Sequence, residues 1–253
     1  MEQSLVIYKQ QYPFQVTPLN LYQKMDRIMI LSLETSLAHD GVINQHLDKA
    51  IISPHQNWII TQNCGQIYYL PKVGQEIEIS TYLIRANRFF VERQFQVWQD
   101  KQLCLTLQIQ FAVLDLQERQ IAKVDPKPLK ELVVAQEQAN QKSKFRPISD
   151  FSQENTQAIQ ITTSDIDLNR HVNNLVYLRW GLEHLPDLLL ADYHLDSFYI
   201  KYGSELLADH EVILTTYSSD QAKGDDRVIC QQVIENLTLN KEAARFETVW
   251  QEN

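Results

Sequence analysis

Between Asp26 and His39 the apolar residues Ile28, Leu31, Leu33 and Leu37 recur at roughly helical spacing, and Gly41 follows as a stop signal. The pattern predicts one helix over that stretch. Downstream the period changes. Trp58–Leu70, Ile77–Ala86, Phe89–Trp98 and Leu103–Leu114 are rich in β-branched and aromatic residues. In the last of them Leu103, Leu105, Leu107, Ile109 and Phe111 put an apolar side chain at every second position, the period of a strand with one buried face. The connections are short: Pro71 to Gln75, Arg85 to Arg88 and Gln99 to Lys101. Connections of that length suit an antiparallel meander and are too short for βαβ crossovers.

From Asp125 to Asp150 the pattern lapses. Pro126, Pro128 and Pro147 bracket a Gln- and Lys-rich segment, Gln136 to Lys144, which reads as a surface linker. The first pattern then returns. A short strand, Ala158–Thr162, leads to a predicted helix from about Val172 to Leu185. Strand-like stretches follow at Ser197–Tyr202, Glu211–Tyr217, Arg227–Glu235 and Arg245–Trp250. Asp26 heads the first helix as Asp167 heads the second, and Gly74-Gln75-Glu76-Ile77 resembles Asp209-His210-Glu211-Val212. One helix and a strand meander, written twice, is the organisation expected: a first domain over 1–130, a linker over 131–150 and a second domain over 151–253.

Composition removes several classes of function. Basic residues number 23 and acidic residues 32, a net charge of −9, which disfavours a nucleic-acid binder or a polybasic membrane anchor. Apolar runs stay near four residues (Ile28 to Leu31, Phe111 to Leu114), far short of the ~20 that a membrane span needs. Met1-Glu2-Gln3-Ser4 has no basic region followed by an apolar stretch, so no signal peptide is expected and the cytoplasm is the expected location. The six glycines never cluster as a phosphate-cradling loop requires. Cys64, Cys104 and Cys230 lie far apart, as free buried thiols in a reducing compartment would. His39-Asp40 resembles the two-residue core of a class of metal hydrolases, but the other spaced ligands are missing, so no metal or other cofactor is expected.

The densest polar cluster is Asp165-Ile166-Asp167-Leu168-Asn169-Arg170-His171-Val172-Asn173-Asn174, with Tyr177 and Trp180 after it. A helix cap accounts for one Asp or Asn in such a run, but not for Asp, Asn, His, Asn and Asn together. A helix start also offers N–H groups and partial positive charge to an oxygen gaining negative charge.

Asp167-x-Asn169-x-His171-Val172-Asn173-Asn174-x-x-Tyr177 resembles the signature of the acyl-acyl carrier protein (acyl-ACP) thioesterases of bacteria and plant plastids. Trp58-Ile59-Ile60-Thr61, the Pro71 to Gly74 turn and Arg93 are similar to that family's N-terminal half. Tyr202-Gly203-Ser204-Glu205 is similar to its second catalytic segment. The resemblance implies an α+β protein of two tandem hotdog domains, each a long helix wrapped by an antiparallel sheet. It implies hydrolysis of acyl-ACP to a free fatty acid, with the carrier protein as partner and no cofactor.

The catalytic set carried over by position is Asp167, Asn169, His171 and Glu205. Glu205, beside an apolar acyl tunnel, and His171 would assist attack by water. Asn169 and the helix start would polarise the carbonyl, and Asp167 would fix the loop. Asn173, Asn174 and Tyr177 would contact substrate. Leu206 stands where plant members carry a cysteine, which disfavours a covalent thiol mechanism. At the repeat offsets the first half has Ile28, Ile30 and Leu70 where the second has Asn169, His171 and Glu205, so a single site per chain is implied. The first domain would then wall the acyl tunnel, with Ile28, Leu31 and Leu33 as candidates for setting chain length. Arg85, Arg88 and Arg93, or Lys142, Lys144 and Arg146, are candidate docking residues for an acidic carrier. An acyl-CoA thioesterase, a hotdog dehydratase and a non-catalytic acyl-binding protein are the alternatives, and monomer and homodimer are both compatible with the pattern.

Overall fold

The computed structural model describes residues 5–15, 20–47, 51–134, 144–185, 187–219 and 227–253. Most of the Gln- and Lys-rich segment expected as a linker lies outside them. The chain divides into two compact units: residues 1–19 with 27–141, and residues 20–26 with 142–253.

In the first unit, strand β1 (Ile7–Phe14) precedes helix α1 (Leu21–Leu47), whose opening turn is counted with the second unit. Then come β2 (Gln56–Ile67), β3 (Gln75–Ala86), β4 (Phe90–Gln99) and β5 (Gln102–Asp115), followed by the short β6 (Gln120–Ala122) and the one-turn α2 (Lys127–Lys130). All described pairings of these strands are antiparallel, in the order β1-β3-β4-β5-β2, with β6 on β5. β1 was not expected. Its Pro13 lacks a backbone donor and breaks a strand pattern, but an edge strand with Pro13 opposite Glu76 tolerates it.

Helix α1 runs well past both expected ends. Its start is set by Asn20 and Gln23, which bond each other's backbone N–H at 3.1 and 3.3 Å in a reciprocal cap. Its far end passes through Gly41 because the next turn has a core to bury. Ile43, fully buried, joins Leu83, Ala86, Val91, Leu129 and Leu132 in one cluster. That burial outweighs the ~1 kcal/mol of helix propensity that a glycine forfeits. The buried helix hydroxyls are satisfied within the helix or from β1. Ser32 and Thr35 donate to the carbonyls of Ile28 and Leu31, and Thr35 meets the Tyr12 hydroxyl at 2.9 Å.

The second unit repeats this order. After β7 (Gln153–Ile159) come α3 (Asn174–Glu183), α4 (Asp187–Asp192), β8 (Tyr193–Tyr202), β9 (Val212–Ser218), β10 (Arg227–Asn236) and β11 (Lys241–Glu252). The strands lie β8-β11-β10-β9-β7, again all antiparallel, the same path as β2-β5-β4-β3-β1. Each unit is a helix wrapped by an antiparallel sheet, the hotdog architecture. The second helix is shorter than expected, because α3 ends at Glu183 ahead of Pro186 in the sequence. It packs flush on the sheet: a Cβ at Gly181 would lie 2.0 Å from the Phe246 ring, and Gln232 donates to the Gly181 carbonyl at 3.0 Å.

The pairing of Asp26 with Asp167 does not carry over to local structure. Asp26 lies within α1, whereas Asp167 sits in a loop ahead of α3. Among the described residues no helix is long and apolar enough to cross a membrane.

Candidate active site

Fourteen residues, 160–173, separate β7 from α3, whereas six, 15–20, separate β1 from α1. The longer loop carries the polar cluster, and its shape follows from its own aspartates. Asp165, 1% exposed, accepts from the Thr162 N–H at 2.8 Å and the Thr162 hydroxyl at 2.9 Å, and pairs with Arg179 of α3. Burial by itself would raise this carboxyl; the Thr162 bonds and Arg179 outweigh it and hold the group below the usual carboxylate range. Further along, Asp167 Oδ1 accepts the backbone N–H groups of Asn169 (2.8 Å) and His171 (3.2 Å), and Oδ2 meets the Asn169 side-chain amide at 3.3 Å. Arg170 completes the tight loop with φ +66°, in the left-handed region. Asp167 thus holds the loop and orients Asn169.

The second segment, between β8 and β9, is anchored just as firmly. Gly203 and Ser204 donate their N–H groups to the carbonyls of Ala243 (2.8 Å) and Glu242 (3.0 Å). A Cβ at Gly203 would stand 2.5 Å from the Glu242 oxygen, so the approach requires glycine. Leu206 accepts the Val172 N–H at 2.9 Å, which ties this segment to the first loop. The result is a His171 Nε2–Glu205 Oε2 contact of 3.2 Å. The His171 side chain is 23% exposed and that of Glu205 45%.

The remaining expected site residues are placed as follows. Asn173 caps α3, its side chain accepting the Leu175 N–H at 3.0 Å. Its own N–H goes to the Asp165 carbonyl, and the Val176 N–H to the Asn173 carbonyl. Several donors of the helix start are therefore already committed. Asn174 opens the helix and its carbonyl accepts from the Tyr202 hydroxyl at 3.4 Å. Tyr177 is buried between Trp180 and Tyr202. Burial raises its phenol, against the Leu206 backbone N–H and with the Glu205 charge adding to the rise. Ile28 and Leu31 are fully buried core residues. Arg179, which pins the loop, was not singled out from sequence. It lies fourteen residues from Asp165, and no short motif joins them.

Among the described residues the first unit has no counterpart of this cluster, but it holds a cavity of about 260 Å³. Leu33, Trp58, Leu83 and Phe111 line it, Ile28 and Leu31 do not, and Ser36, Asp40, Asn57 and Arg93 form its polar part. Arg93 is 4% exposed and pairs with Asp40, so it is unavailable as a surface docking residue. Arg85 faces Glu92 at 3.2 Å and Arg146 faces Glu247 at 3.6 Å, while Lys142 lies outside the described residues. Next to Asp40, the buried His39 donates from Nε2 to the Leu5 carbonyl (2.8 Å) and accepts from Arg93 at Nδ1 (2.9 Å). Burial first, and then the Arg93 charge, push its pKa down to about 4. The three cysteines are free, and burial pushes the Cys64 thiol up to about 11, helped by Glu92, and Cys230 up to about 12. Thiol nucleophiles need a shift the other way.

Two hotdog units in tandem define a class of fold represented among solved structures. The 12:0-ACP thioesterase of Umbellularia californica superposes with a TM-score of 0.78 at 16% identity, over 98% of this chain and 95% of that one. An acyl-ACP thioesterase of Bacteroides thetaiotaomicron gives 0.74 at 14% identity, over 99% and 100%. The family models for the acyl-ACP thioesterase N-terminal and C-terminal domains match residues 6–132 and 148–252, and the chain belongs to the acyl-ACP thioesterase family. Among curated relatives, the chloroplastic dodecanoyl-[acyl-carrier-protein] hydrolase of Cinnamomum camphora is 34% identical over 88 residues, 34% of this chain and 22% of that protein. The chloroplastic oleoyl-acyl carrier protein thioesterase of Coriandrum sativum is 22% identical over 186 residues, 69% of this chain and 50% of its own length. The chain thus spans half or less of either relative.

Proposed function

We propose that this chain hydrolyses the thioester of acyl-ACP, releasing a free fatty acid and the carrier's thiol and so ending chain elongation. The observation that carries the reading is the His171–Glu205 contact, held by two anchored loops at the motif of this family. Glu205 and His171 act as a unit that takes a proton from water as its oxygen bonds to the thioester carbon. The Asn169 amide, oriented by Asp167, and the Asn174 N–H at the start of α3 face the developing oxyanion. Collapse of the tetrahedral intermediate breaks the carbon–sulfur bond, and the leaving sulfur takes back the proton. No cysteine takes part.

The second unit carries the chemistry, and the first supplies the seat of the acyl chain in its apolar cavity. The carrier, acidic in charge, meets exposed basic groups, with Arg88 of the first unit or Lys144 of the second as the candidates. Charge, free cysteines and substrate together suit the cytoplasm. The test is thiol release from a chain-length ladder of acyl-ACP, with matching acyl-CoA controls. Faster turnover of acyl-ACP supports the reading. Faster turnover of acyl-CoA would reassign the carrier, and acyl binding without hydrolysis of either would make this a binding protein.

A further inference from the structure

The lining of the first unit's cavity is mostly apolar; its polar members are Asn57 and one cluster on α1 and β4. In that cluster the Arg93–Asp40 pair lines the cavity, with Ser36 one turn earlier on α1. The Arg93 guanidinium is committed to Asp40 and to His39 Nδ1, and it bonds the Asp40 carboxylate through Oδ1. The Asp40 side chain is 20% exposed, which leaves its second oxygen, Oδ2, open to water or a ligand. Burial pushes the Asp40 carboxyl up, against Arg93. Such an oxygen is satisfied by water or by a ligand. An unsubstituted hydrocarbon in this cavity would displace water from it and offer nothing in return. The pair is neutral overall, so it does not favour a chain with a second carboxylate. A hydroxyl fits: it donates to Asp40, and its lone pairs face the guanidinium.

We infer that Asp40 is a specificity-determining residue and that the cavity selects acyl chains bearing a hydroxyl group over unsubstituted chains of the same length. This rests on reading the cavity as the seat of the acyl chain. A site built to bond a hydroxyl loses affinity for the analogue lacking it, because its own polar group is left unpaired.

Trp58 lines the same cavity and reports occupancy without any hydrolysis. Matched series of free fatty acids, unsubstituted and hydroxylated at successive carbons, are titrated into the full-length chain. Trp58 emission is followed, with Trp58→Phe as the blank for the other tryptophans. One hydroxyl position is expected to bind on the order of tenfold more tightly than the unsubstituted acid of equal length. Asp40→Leu removes the acceptor but leaves Arg93 buried without its partner. Asp40→Leu/Arg93→Met, which substitutes an apolar pair, therefore serves as the folded control, and in it the gain should vanish. Tight binding of unsubstituted acids with no gain at any hydroxyl position overturns the inference and leaves acyl-ACP hydrolysis standing. A gain that survives in the double variant also overturns it. Absence of any Trp58 response to either series overturns the acyl-seat reading together with this inference.

Discussion

The two units share one strand path and differ in where their polar groups sit. In the first, the ionisable groups of interest, His39, Asp40 and Arg93, are turned inward between α1 and β4 and line or back an apolar cavity. The link from β1 to α1 is only six residues, and the helix runs for 27. In the second, the link is 14 residues, the helix is 10, and His171 and Glu205 are partly exposed to solvent. The same sheet thus serves two ends. Where the connection is short and the helix long, the unit turns these ionisable groups inward; where the connection is long and folded on its own aspartates, it leaves a His–Glu pair partly exposed. The repeat is preserved in topology and lost in the loops, where function is most easily placed on a rigid scaffold.

Breaking the second unit's loop should have the largest effect. Asp165→Ala removes a fully buried carboxylate from Arg179 and Thr162, and should lower stability by about 3–5 kcal/mol in chemical unfolding. An unchanged midpoint would mean that the loop does not depend on this pair.

Acid should separate the units by pH. His39 has its ordinary value of 6.5 in the unfolded chain and about 4 in the fold, so the folded state refuses a proton the unfolded state accepts. The stability it lends is whole above pH 6.5 and is lost as pH falls toward 4, by about 3 kcal/mol at 1.36 kcal/mol per unit. Asp40, raised by burial, works in the opposite direction as it protonates and returns part of that loss. Asp165 is lowered, so its contribution is lost only as pH falls below 3.8. Unfolding of His39→Asn should therefore show a flatter dependence between pH 6.5 and 4 than the parent protein. Equal slopes would place the acid sensitivity elsewhere.

The smallest effect is expected at sulfur. Cys64→Ser/Cys104→Ser/Cys230→Ser should keep kcat within a few-fold, since burial pushes all three thiols up, away from nucleophile behaviour. Near-total loss of kcat in a folded triple variant would restore a thiol mechanism.

Much of this is legible in the sequence. The strict alternation from Leu103 to Phe111 marks β5 because the strand has one core face, and Asp167 to Asn174 stands out because no cap needs so many polar groups. What escaped the reading had physical reasons. Gly41 reads as a stop, yet Ile43 beyond it has a core to fill, and tertiary burial overrides local propensity. The Asn20–Gln23 cap lies ahead of the apolar period and so ahead of the predicted helix. Arg93 reads as a surface charge, but Asp40 and His39, more than fifty residues away in sequence, hold it inside. The Asp165–Arg179 pair and the Val172–Leu206 bond are likewise contacts that only the fold brings together.

The most direct test of a single catalytic unit is the turnover of one acyl-ACP substrate by the parent chain, Glu205→Ala and His171→Ala, each checked for a parent-like unfolding midpoint. The account predicts that kcat falls by about 10²- to 10⁴-fold in both variants while acyl binding, followed through Trp58, is retained. Parent-level turnover in either folded variant would contradict it.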